Sequence, residues 1–129
     1  MTDPRPRERG DISGVAGVML WTGDFLPMLR FYRDVLELTP RSVRAGFVSF
    51  EWGELRLTIA EHDAVEGPSR EPLRTMLNLR VADIAAVHTR LLAAGVRFSR
   101  PPEREAWGGI IATFADPDGN ALQLMQLPG

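Results

Sequence analysis

Two segments of the chain carry the same order of residue types at a constant offset. Asp24 is followed by apolar residues at helical spacing, and Asp83, 59 positions later, is followed by an equivalent stripe. The first stripe is Phe25, Met28, Tyr32 and Val35, and the second is Ile84, Val87, Leu91 and Ala94. Aspartate is a favoured helix N-cap, so each segment predicts an amphipathic helix. An internal repeat of this kind predicts two tandem modules.

Strand-forming segments flank both predicted helices. VAGVMLWT precedes the first helix and MLNLRV precedes the second. Hairpins are predicted from FVSF to LRLTIA, turning at Gly53, and from GGIIATFA to NALQLMQL, turning at DPDG. Each half is therefore predicted to run strand, helix and further strands, which is an α+β fold.

Composition shifts divide the chain. Residues 1–14 contain little that is apolar and predict a mobile tail, whereas residues 15–127 predict a single domain. Within that domain, module one is expected at 15–60 and module two at 76–127. The segment 61–75 has no sustained periodicity and contains two prolines, so it is predicted to be a linker.

Strand alternation separates the side chains that pack beneath the helices from those on the opposite face. Because one helix covers only one face of each sheet, the other faces are predicted to curve around a shared concavity. The residues predicted to face this concavity are Gly17, Met19, Trp21, Glu54, Arg56, Thr58, Met76, Asn78, Arg80, Ala121, Gln123 and Met125.

Charge and composition exclude several classes of partner. Fifteen Lys and Arg against seventeen Asp and Glu give a net charge of −2, with no basic block dense enough for nucleic acid. No signal peptide is visible, and no apolar run approaches the roughly 18 residues that span a bilayer. The chain contains no cysteine, which fits a reducing compartment. A protein of the cytoplasm, without membrane or nucleic-acid partners, is the expectation.

In order along the chain, the segments DFLPMLRFYRDVLEL, VADIAAVHTRLLAAGVRF, WGG and DPDGNALQL resemble the vicinal oxygen chelate superfamily. This superfamily includes glyoxalase I, extradiol dioxygenases, fosfomycin-resistance enzymes and bleomycin resistance proteins. The resemblance implies two βαβββ modules in tandem, curved sheets enclosing a cavity, and a homodimer. One departure is Glu37, at a position where members of the family often have a glycine that ends the first helix.

The resemblance also implies where a divalent cation would bind in catalytic members. A His or Gln lies seven residues before each helix-capping Asp, and a carboxylate lies on the last strand of each half. Here those positions hold Gly17, Met76, Arg56 (or Thr58, one register step away) and Gln123. None of these is a carboxylate or an imidazole, so no metal and no cofactor are predicted.

No other group of residues predicts catalysis. The adjacent Glu61, His62 and Asp63 indicate a solvated turn, because neighbouring residues rarely converge on one ion. His88 is predicted on the flank of the second helix, and no serine has the sequence context of an activated nucleophile. No catalytic residue is therefore predicted.

Without a metal, the concavity is predicted to bind an organic ligand. Three tryptophans offer flat stacking surfaces, and Arg56 and Arg80 imply either an internal carboxylate such as Glu54 or an anionic group on the ligand. The predicted ligand-binding residues are Met19, Trp21, Trp52, Glu54, Arg56, Thr58, Met76, Asn78, Arg80, Trp107 and Gln123.

The segment WGGIIATFADPDGNALQLMQ resembles the metal-free bleomycin resistance proteins more closely than the glyoxalases. Bleomycin is cationic, whereas this chain has nearly balanced charge and arginines at the predicted site. The predicted function is therefore sequestration of a small organic ligand, as in antibiotic resistance, without commitment to bleomycin. Alternatives are a metal-dependent lyase or dioxygenase with atypical ligands, a metal-free isomerase using Glu54 or an arginine pair, and a dimeric structural or regulatory module.

Overall fold

The computed structural model describes residues 10–129 and contains two modules with the same element order. A mobile tail was predicted over residues 1–14, and residues 1–9 of it lie outside the described residues. Module one consists of β1 (Gly17–Thr22), α1 (Phe25–Leu29) with a π-helical continuation (Arg30–Val35), β2 (Ser42–Arg44), β3 (Phe47–Trp52) and β4 (Leu55–Glu61). No helix within this part of the chain has the length and apolar character needed to cross a bilayer.

Module two repeats this order. A short 3-10 helix, Pro72–Arg74, precedes β5 (Met76–Arg80), α2 (Ile84–Ala93), β6 (Phe98–Arg104), β7 (Ile110–Ala115) and β8 (Ala121–Gln126). Each module forms a four-stranded sheet, with the orders β1-β4-β3-β2 and β5-β8-β7-β6. The α+β fold of two tandem modules is therefore confirmed, although the sheets do not close. The sequence predicted further strands in each half, but it did not locate β2 and β6.

Within each sheet, the first strand pairs in parallel with the last, and the remaining pairs are antiparallel. A parallel pair needs a long crossover connection, and the helix with the next two strands provides it. As a result, residues from the beginning and the end of each module lie side by side along one edge of its sheet, where the first strand is the edge strand. We call the face of each sheet opposite the helix its outer face.

The two helices begin in different ways despite their matching aspartates. The Asp83 carboxylate accepts a hydrogen bond of 3.1 Å from the backbone N–H of Ala86, as expected of an N-cap. Asp24 occupies the equivalent position, but its side chain makes no capping bond. Instead, its backbone N–H donates to the Thr22 hydroxyl at 3.0 Å. Asp24 thus marks the helix start without capping it.

The first helix widens after its first turn and ends in an unusual backbone conformation. The Leu36 N–H donates to the Phe31 carbonyl oxygen five residues earlier at 2.8 Å, which is π-helical bonding. Glu37 follows with φ of 61°, and it is the one non-glycine residue in the described chain with positive φ. The left-handed region is unfavourable for a residue with a Cβ, so this helix end stores backbone strain.

The helix-bearing faces of both sheets pack into one core. Met28, Tyr32, Ile59, Leu91 and Leu122 are all fully buried, and they come from both modules. Phe31 of module one lies 6.3 Å from Phe114 of module two, ring centre to ring centre. The outer faces point away from this core; Met19 and Met76 on them are 46% and 36% exposed, whereas Thr58 is buried.

Candidate ligand-binding site

The positions predicted for a metal site lie on the first and last strands of the two modules, at one edge of each sheet; they are Gly17, Arg56 or Thr58, Met76 and Gln123. Strand pairing sets Met19 opposite Thr58 in module one and Asn78 opposite Gln123 in module two. Thr58, rather than Arg56, is therefore the equivalent of Gln123. The offset between these two residues is 65, six more than the 59 that relates the helices, because module two has a longer path between its first and last strands.

The side chains at these positions do not fit a divalent cation. Gln123 Nε2 donates to Asn78 Oδ1 at 3.0 Å, so the two neutral amides bond to each other. Met19 and Thr58 add a thioether and a neutral hydroxyl, which are poor ligands for Zn²⁺, Fe²⁺ or Mn²⁺. At Gly17, a Cβ atom would overlap the carbonyl oxygen of Arg56, so this backbone has no room for a side chain there.

The histidines outside these positions have structural contacts. His62 Nδ1 accepts a hydrogen bond of 3.0 Å from the backbone N–H of Ala64, and its ring packs edge-on against Trp21 with 5.2 Å between ring centres. His88 packs edge-on against Phe98 at 4.6 Å. Within residues 10–129, no three His, Asp or Glu side chains lie together in a group suited to an ion.

A cleft of about 530 Å³ lies where the two modules meet; we call it the inter-module cleft. Its volume is within the range of about 300–1,000 Å³ common for small-molecule sites. The walls come from the apolar faces that point toward the shared core. The apolar residues that line the cleft include Val18, Leu36, Leu57, Leu77, Leu79 and Leu124.

Three arginines, Arg56, Arg80 and Arg90, also line this apolar cleft, and none of its lining residues is acidic. Arg56 is held by Glu51, to which its Nε donates at 3.1 Å. Arg90 donates to the carbonyl oxygen of Val35 at 2.8 Å, and its Nη1 lies 3.5 Å from the Glu37 carboxylate. Arg80 has no ion-pair partner among the ion pairs within residues 10–129. Arg56 and Arg90 are thus paired with glutamates outside the lining, and Arg80 is the arginine of this cleft that is available to an anion.

The structure distributes the predicted ligand-binding residues over several places. Trp52, Arg56, Asn78 and Arg80 line the inter-module cleft. Trp52 is 47% exposed and stacks on Phe50 with 6.5 Å between ring centres. The residues that lie on the outer faces, away from the cleft lining, are Met19, Thr58, Met76 and Gln123.

The remaining predicted residues lie elsewhere. Trp21 lines a separate cleft beneath residues 64–70. Glu54 is in the turn between β3 and β4. Trp107 lies over Gly109 so closely that a Cβ atom there would overlap the indole ring. The WGG motif is thus explained by this packing, since only glycine leaves space for the indole.

Several residues of the inter-module cleft were not predicted. Leu77 and Leu79 were expected to pack beneath the helix, and they do face that side, but a gap remains between the modules. Arg90 was not singled out, because its position on α2 indicates only an exposed helix face. Hydrophobic periodicity shows which face is apolar, and it does not show where two apolar faces fail to meet.

Comparison with known protein families shows the family of this chain. The Glyoxalase/Bleomycin resistance protein/Dioxygenase superfamily matches residues 14–124. The chain belongs to this superfamily. Among its relatives, the bleomycin resistance protein of Klebsiella pneumoniae is 30% identical over 91 residues, which are 64% of this chain and 68% of that protein.

Solved structures of superfamily members share the fold. A glyoxalase-related enzyme from Fulvimarina pelagi superimposes with a TM-score of 0.73 at 23% identity, covering 90% of this chain and 89% of that one. A glyoxalase/bleomycin resistance protein from Catenulispora acidiphila DSM 44928 gives 0.68 at 25% identity, covering 90% and 100%. These likenesses confirm the vicinal oxygen chelate architecture inferred from the sequence.

Proposed function

We propose that this superfamily member binds and sequesters a small organic ligand without a metal, and that the ligand has an apolar body and an anionic group. The observation that carries the proposal is the inter-module cleft, with its leucine-rich walls and its arginine rim. Apolar walls favour desolvation of a hydrocarbon or aromatic body, and a few placed polar groups orient it. Arg80 supplies a guanidinium that fits a carboxylate, sulfonate or phosphate.

Sequestration, rather than metal-assisted turnover, is supported by the chemistry of the outer faces. Met19, Thr58, Asn78 and Gln123 provide no carboxylate and no imidazole, and Gly17 has no space for a replacement side chain. Similarity to a protein named for bleomycin resistance adds support for a binding role. Arg80 favours an anion, so the proposal does not extend to bleomycin itself.

The proposal includes a homodimer in which the second copy of the chain covers part of the outer faces. Met19 and Met76 lie on these faces and are 46% and 36% exposed. A second copy packed there would remove both thioether side chains from water. Sedimentation equilibrium is expected to give twice the chain mass, and Met19→Glu is expected to shift the equilibrium towards monomer. A monomer at all concentrations up to about 100 μM, well above the Kd of a stable dimer, would contradict this part of the proposal.

Calorimetric titration with decanoate and decanol tests the ligand class. The two probes have the same alkyl chain, and only decanoate carries a negative charge at neutral pH. We expect decanoate to bind more tightly, and we expect Arg80→Ala to weaken its binding by about tenfold, the effect of losing one charge-assisted hydrogen bond. Decanol binding is expected to be unchanged by the same substitution.

Arg74→Ala is the matched control. It removes the same charge from an exposed side chain that pairs with Glu71, outside the lining of the cleft. Decanoate affinity is expected to stay within about twofold of the unmodified protein, as for a distant surface charge. Equal affinity for decanoate and decanol, or equal effects of the two arginine substitutions, would contradict the proposal.

A further inference from the structure

A second cleft, of about 440 Å³, lies beneath the segment that connects the modules; we call it the linker cleft. Trp21, near the end of β1, lines one side. Residues 64–70 pass over it, and Asp118 and Asn120 of the turn between β7 and β8 form another wall. The linker cleft is therefore a second concave site, and it shares no lining residue with the inter-module cleft.

Backbone hydrogen bonds hold the linker in place at both ends of this cleft. The His62 N–H donates to the Thr22 carbonyl oxygen at 3.0 Å, and the Ser69 N–H donates to the Asp118 carbonyl oxygen at 2.7 Å. Gly23 lies so close below the linker that a Cβ atom there would overlap the carbonyl oxygen of Val65. The cleft is thus a preformed feature of the fold, since both ends of its cover are bonded to the modules.

The side chains in the linker cleft combine an aromatic surface with a net negative charge. The Trp21 indole is 47% exposed. The lining contains two acidic residues, Glu66 and Asp118, and one basic residue, Arg70. None of these three takes part in an ion pair among the ion pairs within residues 10–129.

We propose that the linker cleft binds an organic ammonium cation. A cation over the face of a tryptophan is attracted by the ring quadrupole, and nearby carboxylates add to this attraction. Trp21 supplies the ring, and Glu66 and Asp118 supply the carboxylates. The inter-module cleft has the opposite charge, so the two clefts select ligands of opposite sign. This inference is independent of the anion-binding function proposed above.

Choline and 3,3-dimethylbutan-1-ol provide the test, because they have the same shape and differ in having a quaternary nitrogen or a carbon at the centre. We expect choline, and not the neutral alcohol, to shift the indole N–H resonance of Trp21 saturably in two-dimensional NMR spectra. The resonance is assigned from its loss in Trp21→Phe. The signals of Trp52 and Trp107, which lie outside the linker cleft, are expected to stay in place.

Charge substitutions make the test specific. Asp118→Asn preserves the backbone contacts of the turn and is expected to weaken choline binding by about three- to tenfold, the range for losing one attractive charge near the ligand. Arg70→Ala removes the repelling charge and is expected to strengthen binding. Glu54→Gln, which makes the same change in charge as Asp118→Asn at a turn outside the linker cleft, is expected to have no effect.

Three results would overturn the inference. One is an equal response of Trp21 to choline and to its neutral analogue. Another is the absence of any saturable shift up to about 100 mM choline. A Kd above that concentration corresponds to a binding free energy weaker than about 1.4 kcal/mol. The third is weaker choline binding in Arg70→Ala. Decanoate binding reports on the other cleft, so failure here is distinguishable from failure of the proposed function.

Discussion

The phenol of Tyr32 donates a hydrogen bond of 2.7 Å to Asp116 Oδ2, which lies 84 residues later in the sequence. Both residues are buried, with exposures of 0% and 5%. The same carboxylate accepts bonds from the backbone N–H groups of Asp118 and Asn120 and from the Asn120 side-chain amide. One buried carboxylate therefore ties the helix of module one to the turn between β7 and β8 in module two.

Tyr32→Phe is expected to lower the free energy of unfolding by about 1–3 kcal/mol, because the buried Asp116 carboxylate loses one of its hydrogen-bond donors. Urea denaturation followed by circular dichroism measures the change. Ser99→Ala is the control, since the Ser99 hydroxyl makes an exposed bond of 3.3 Å to the Thr113 carbonyl oxygen. Its effect is expected to stay within about 0.5 kcal/mol. Equal effects of the two substitutions would show that the buried bond adds little.

The effect of Tyr32→Phe is expected to grow as the pH rises. Burial raises the pKa of the Asp116 carboxyl above its ordinary value of 3.8, while the bonds from Asn120 and Tyr32 oppose this rise. A carboxyl with a raised pKa contributes stability below its unfolded pKa and loses that contribution as the pH rises through its folded pKa. Removing the phenol raises the folded pKa further, so the two proteins differ least in acid, where Asp116 is protonated in both.

This pH dependence is measured by repeating the urea titrations from pH 3 to pH 8, together with an NMR titration of the Asp116 carboxyl carbon. The phenol of Tyr32 stays protonated throughout, because burial, followed by the charge of Asp116, raises its pKa. A difference in unfolding free energy that is constant with pH, or that shrinks as the pH rises, would contradict the assignment of Asp116 as an ionised acceptor.

Glu37→Gly is expected to stabilise the fold by about 1 kcal/mol, because glycine adopts the left-handed conformation without the Cβ penalty. Glu37 has φ of 61°, and its carboxylate lies 3.5 Å from Arg90 Nη1 on an exposed surface, where an ion pair contributes little. Thermal denaturation measures the change. Glu37→Ala keeps the Cβ and is expected to give no stabilisation, so an equal gain from Ala and Gly would exclude backbone strain as the cause.

Gly23→Ala is expected to displace the linker and abolish choline binding, because the new Cβ overlaps the Val65 carbonyl oxygen. Trypsin is expected to cleave after Arg70 faster in this variant than in the unmodified protein. Gly53→Ala is the matched control: its φ is 61°, but no atom lies within 4 Å of the added Cβ. That variant is expected to lose about 1–2 kcal/mol of stability through backbone strain and to retain the linker contacts.

Protein purified without chelators is expected to contain no stoichiometric divalent metal. The paired first and last strands hold Met19, Thr58, Asn78 and Gln123 on the outer faces, and these side chains are weak ligands for such cations. Elemental analysis by mass spectrometry measures the content. About one Zn, Fe, Mn or Ni per chain, lost in Gln123→Ala, would return the metal-dependent enzyme to consideration.

The sequence predicted those features that depend on local pattern. Asp83 caps its helix because its carboxylate accepts from the free N–H of Ala86 in the first turn. Gln123 shares a face with Met76 because side chains alternate along paired strands. Features set by contacts distant in the chain were not predictable. The π-helical continuation after Leu29 has no distinct sequence signal, and the equivalence of Thr58 with Gln123 depends on strand pairing rather than on the repeat offset.

The inter-module cleft shows the same limit. Its walls were recognised as apolar, but the gap between them results from how two modules pack against each other. Trp21 and Trp52 were both predicted to bind a ligand in one concavity, and the structure places them in separate clefts. Single-sequence patterns describe each element well, and they describe the spaces between elements poorly.

The close approach of Gly17 to Arg56 limits how this chain could gain a metal centre by mutation or design. A histidine at position 17 would collide with the main chain of the neighbouring strand before its imidazole reached the outer face. Module two has no such obstruction, since Asn78 and Gln123 already present side chains there. An engineering route would therefore start with ligands in module two and would need backbone redesign, rather than a point mutation, to complete the site in module one.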